Sequence, residues 1–152
     1  MREARLRSAA FWSLVVITLF NALSAIGGGI GILVTDGLGM PDSFLEGGPF
    51  STFVWPGVIL LVVIGGSQAL AGGLLLARRD SALLWSAVAG FGMVIWIFVE
   101  TGMIRGISVL QILYFVTGAL QLALVFALLG IVGWLPRDVL PGVRGGHELR
   151  RR

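Results

Sequence analysis

Four long apolar runs, at about residues 11–34, 52–77, 82–104 and 109–134, are separated only by short polar or glycine-rich stretches. A helix needs about 20 predominantly apolar residues to cross the ~30 Å hydrocarbon core of a bilayer, and each run is long enough. Apolar residues make up 57% of the chain and charged residues 12%, against about 25% charged for a soluble domain. A soluble fold of 152 residues has too little interior to hide that much apolar surface, whereas a bilayer accommodates it. The pattern predicts an all-α membrane protein, an antiparallel four-transmembrane-helix bundle. Residues 1–134 form the membrane domain and residues 135–152 a basic cytoplasmic tail.

The stretches between the runs set the connections. The first run continues to Val34 with no polar break, which favours an uncleaved anchor over a cleaved signal peptide. Residues 35–50 form a loop with three acids (Asp36, Asp42, Glu46) and no base; its prolines and glycines exclude a long helix. Ser43 and Glu46 fit a capping box that Gly47-Gly48 cuts short after about one turn. Pro56 falls in the first turn of the second span, where its missing N–H costs nothing. Arg78-Arg79-Asp80 makes a tight turn into the third span, residues 105–108 turn into the fourth, and Pro136 stops it.

All eleven basic residues are arginine, and ten lie at the N-terminus, in the Arg78-Arg79 turn or in the C-terminal tail. Positive flanks stay on the cytoplasmic side, so both termini are expected inside a bacterial inner membrane. The net charge of +3 therefore reads as topology; the arginines form no stripe with interleaved aromatics, and no nucleic-acid partner is expected. The chain has no cysteine and one histidine, His147, in the tail. No metal site, cofactor or catalytic residue is expected, and no phosphate loop, HExxH, CxxC or GxSxG motif occurs.

Small residues recur every four positions: Gly27 and Gly31, then Gly65, Ala69 and Gly73, then Ser86 and Gly90, then Ala119, Ala123 and Ala127. In lipid, close van der Waals packing of such rows holds helices together. At 1.5 Å per residue, Asn21, Gln68 and Gln121 all fall near mid-bilayer. Amides there need partners, so these three are expected to point inward as a polar bundle core.

The stretch from Trp96 to Gln121 holds Glu100, the one acid inside an apolar run. Glu100 lies about 27 Å from the inner end of its span, near the outer boundary. Arg105, Gln111 and Tyr114 fall at similar depth. Glu100, Arg105, Gln111 and Tyr114 are therefore candidates to ring a ligand pocket open to the outside; a structural ion pair with a helix cap is the competing reading.

The segment GGSQALAGGLLLARRDSALL (65–84) resembles the corresponding part of the DoxX-like group of small bacterial four-helix membrane proteins. Shared features are a Gly-rich second span, a leucine run, a basic turn and a small-residue third span. The resemblance implies a four-helix bundle working beside a quinone-linked or redox partner complex, and it transfers no functional residue. The resulting expectation is a non-enzymatic accessory or assembly subunit holding a lipid-like or quinone-like molecule. It is embedded in the lipid bilayer with a membrane-protein partner or as a homo-oligomer. A proton-coupled transporter acting as an oligomer through Glu100 is the alternative, and a lipid-modifying enzyme the third.

Overall fold

A computed structural model describes residues 2–46 and 48–130. The predicted end of the fourth span at Trp134, the stop at Pro136, His147 and the tail lie outside the described residues.

Four helices are long and apolar enough to cross a membrane, and they fit a small multi-pass integral membrane protein. Helix α1 covers Arg2–Thr35, α2 Val54–Leu76, α3 Ala82–Ile104 and α4 Val109–Leu128. The remaining described residues are turns, loops and a single 3-10 turn, Asp42–Phe44. Helix α1 begins nine residues before the apolar run predicted for it, because the basic leader consists of good helix formers without a breaker. Its 34 residues extend about 50 Å, so its first turns exceed the bilayer core.

Each helix packs on two neighbours: α1 on α2 and α4, and α3 on α2 and α4. Along the α1–α2 contact, Gly57 meets Ile32 and Leu33, Gly65 meets Ile26, and Gly72 meets Leu19. The closest approach is at Gly29, where a Cβ would stand 2.7 Å from the backbone nitrogen of Leu61. The predicted pair Gly27 and Gly31 does not make this contact. Gly27 faces open space and Gly31 meets the side chain of Leu38 in the loop.

Helix α2 carries a π-helical segment, Ile59–Gly65, opposite Gly29. An i→i+5 bond places one extra residue in the turn, and such turns concentrate at functional sites. After α1, Asp36, Gly37, Leu38 and Gly39 all have positive φ. Thr35 Oγ1 holds this reversal by accepting from Leu38 N at 2.8 Å. A Cβ on Gly37 would run into the ring of Phe53, so only glycine fits there. The expected Ser43–Glu46 capping box does not form. The N-cap position of the 3-10 turn is Pro41, whose ring has no acceptor to offer a side-chain cap.

Two apolar clusters fill the interior. Leu14, Val15, Leu75, Ala82 and Val125 pack at the end nearer the Arg78-Arg79 turn. Ala25, Ile64, Met93, Trp96 and Ile97 pack towards the other end. Outside, large apolar side chains such as Leu23, Val62, Ile95, Phe98 and Val116 are exposed all round, the surface of a chain solvated by lipid.

Candidate functional site

Between the two clusters lies a polar layer built from all four helices. Asn21, Gln68 and Gln121 are completely buried. Gln121 Oε1 accepts from Asn21 Nδ2 and from Gln68 Nε2, both at 3.1 Å. Gln121 Nε2 donates to Gln68 Oε1 at 3.1 Å and to the Ser86 carbonyl at 3.0 Å. Gln68 Nε2 also donates to the Ala89 carbonyl at 3.2 Å, and Thr117 Oγ1 donates to Asn21 Oδ1 at 2.9 Å. Side chains from α1, α2 and α4 and carbonyls of α3 thus close one network. Such interhelical bonds are worth about 0.6–2 kcal/mol each in lipid. The layer seals the bundle axis and forms a floor.

Above that floor, towards the 36–53 loop, is a cavity of about 200 Å³. Ser24 and Gly28 line it from α1, Leu60 from the π-helical segment of α2, and Met93, Trp96 and Glu100 from α3. Leu110, Gln111 and Tyr114 close it from α4, and Leu38 and Met40 from the loop. A smaller cavity of about 50 Å³, lined by Phe44, Phe53, Pro56 and Met103 among others, shares the Glu100 and Trp96 walls.

Of the four residues singled out in the sequence, the fold brings three together in the larger cavity: Glu100, Gln111 and Tyr114. Arg105 is not among the residues that line either cavity. It is exposed and caps α3 in a left-handed conformation, φ 52°, with its N–H bonded to the Thr101 carbonyl. Gln111 serves the start of α4 as well. Its Oε1 accepts from Ser108 N at 2.8 Å while Ser108 Oγ accepts from Gln111 N at 3.4 Å, a capping box. Tyr114 stacks on Phe20 with ring centroids 6.3 Å apart.

Trp96 is the residue that sequence reading left as an anonymous apolar position. Its spacing of four from Glu100 puts both on one face of α3. Trp96 Nε1 and Gln111 Nε2 are buried donors without a hydrogen-bond partner. Both stand beside the Glu100 carboxyl without closing bonds of ordinary geometry. Unpaired buried donors are rare and costly, so the meeting of two of them where α3 and α4 border the cavity marks the place. Among the described residues no three metal-ligating side chains cluster. No protein-family model matches the chain, and neither a curated protein nor a solved structure matches it at a significant level.

Proposed function

We propose that this protein is a non-enzymatic accessory or assembly subunit of a larger membrane system, and that it holds a lipid-like or quinone-like molecule in the cavity beside Glu100. The observation that carries the reading is the cavity of about 200 Å³ whose polar corner contains two unpartnered buried donors. An apolar chamber with a few convergent polar groups is the usual form of a small-molecule site. Its floor favours a holder over a carrier. The amide network and the Leu14–Leu75–Val125 cluster fill the axis below it, whereas transport needs access from both sides.

The surrounding assignments belong to the same proposal. The arginine distribution supports a bacterial inner-membrane location with both termini in the cytoplasm. The 65–84 segment supports kinship with the DoxX-like group and a redox-linked partner.

Native mass spectrometry of the protein extracted with its own lipids tests the reading. A retained lipophile of defined mass is expected, and a Ser24→Phe variant, which fills the cavity from α1, is expected to lose it. A partner protein in the same spectra identifies the larger system. Failure of both forms to retain any lipophile contradicts the reading.

A further inference from the structure

The polar corner of the cavity is unevenly supplied with donors and acceptors. Trp96 is 7% exposed and Gln111 3% exposed, and each brings an N–H with no partner. The orientation of the Gln111 amide is fixed by the helix cap, because its oxygen accepts from Ser108 N at 2.8 Å. Its nitrogen therefore has to find its acceptor in the cavity. The Glu100 carboxyl beside these donors offers only lone pairs when ionised.

We propose, building on the lipophile reading above, that the ligand head is a neutral hydroxyl: the site takes an alcohol or phenol on an apolar body. A hydroxyl has one O–H and two acceptor lone pairs. Its lone pairs meet the Trp96 and Gln111 donors, and its proton meets Glu100. Several other heads leave something unpaired: an ammonium brings no lone pair for the two N–H donors, and an ether or a quinone carbonyl brings no proton for the Glu100 carboxyl, so of quinone-like molecules the quinol fits. Size agrees with a ring-sized head. A cavity of about 150 Å³ accepts benzene, and this one is about 200 Å³. Any longer tail has to leave the chamber. Leu110 both lines the cavity and is 60% exposed, so a tail that passes it meets lipid.

The matched probes 4-nonylphenol, 4-nonylanisole and nonylbenzene test this with the full chain in detergent. The phenol is expected to bind about tenfold more tightly than the other two, the contribution of one to two net hydrogen bonds. In Trp96→Phe that preference is expected to shrink to a few-fold while nonylbenzene binding persists. On the unmutated protein, the Trp96 indole N–H resonance is expected to move with the phenol and stay in place with nonylbenzene. Equal binding of all three probes would overturn the hydroxyl assignment and leave the lipophile site intact. Absence of binding by any of them would overturn the assignment together with the site.

Discussion

Gln121 uses both lone pairs of its amide oxygen and both N–H groups of its nitrogen. Removing it strands Asn21 Nδ2 and Gln68 Oε1 in the buried interior and leaves Gln68 Nε2 with the Ala89 carbonyl alone. Gln121→Leu is expected to lower unfolding stability by about 2–4 kcal/mol, because lost bonds and orphaned partners add. Thr117→Val, which removes one bond to Asn21, is expected to cost about 1 kcal/mol or less. Unfolding titrations in bicelles compare the two; equal losses would contradict a network centred on Gln121. A second pair separates packing from composition. Gly29→Ala forces a Cβ within 2.7 Å of the Leu61 backbone and is expected to cost about 1–3 kcal/mol. Gly27→Ala meets nothing within 4 Å and is expected to be neutral or stabilising by up to about 1 kcal/mol, through helix propensity. At this scale the sequence was partly legible. Depth along each helix brings Asn21, Gln68 and Gln121 to one level, since rise per residue is fixed. It gives no rotation about the axis, so the Gly27–Gly31 spacing points to a contact that Gly29 makes instead. Thr117 carries no such signal, because a threonine can bond its own helix, as this one also does with the Tyr114 carbonyl.

Helix boundaries followed from apolar length and turn residues wherever charge or glycine interrupts the chain, as at Arg78-Arg79 and at residues 105–108. Start signals inside continuous helix were harder to read. Arg2–Ala10 carries no breaker, so α1 runs through the charged leader. The S-x-x-Q signature at Ser108–Gln111 is a readable cap, and Gln111 both closes it and lines the cavity. The π-helical segment Ile59–Gly65 has no sequence signal comparable to proline. It lies between the contacts of Leu60 and Leu61 with Gly28 and Gly29 and the buried Gln68. One extra residue in the turn changes the rotation of Gln68 relative to that contact. Deletion of Val62, an exposed residue within that segment, is therefore expected to be absorbed by conversion to α-helix. Deletion of Ile95 in α3 is not: it rotates Trp96 and Glu100 by about 100° relative to Gly90. Size-exclusion profiles and thermal unfolding of the two deletions check this. A folded Ile95 deletion beside an aggregated Val62 deletion would contradict it.

At the scale of the molecule, the bundle divides into an apolar end near the arginine turn, a polar seal and a chamber under the 36–53 loop. The sequence located the polar seal and the acid above it, but a chamber is a property of four helices together, and no single segment encodes it. Sidedness is testable because the chain contains no cysteine. Single thiols placed by Ser43→Cys and Ser81→Cys are expected to react with an impermeant maleimide from opposite faces of the membrane, the former from outside. Reaction of both from the same face would contradict the four-span topology. The central claim is that a lipophile occupies the chamber, and a thiol at Ser24, on its wall, reads this most directly. In protein extracted with its own lipids, the Ser24→Cys thiol is expected to react slowly with methyl methanethiosulfonate. After exhaustive delipidation in the same detergent it is expected to react at least about tenfold faster, as an occupant bound at nine-tenths saturation requires. A Leu23→Cys thiol on the lipid-facing side is expected to react at the same rate in both preparations. Equal rates at Ser24 before and after delipidation would contradict an occupied chamber.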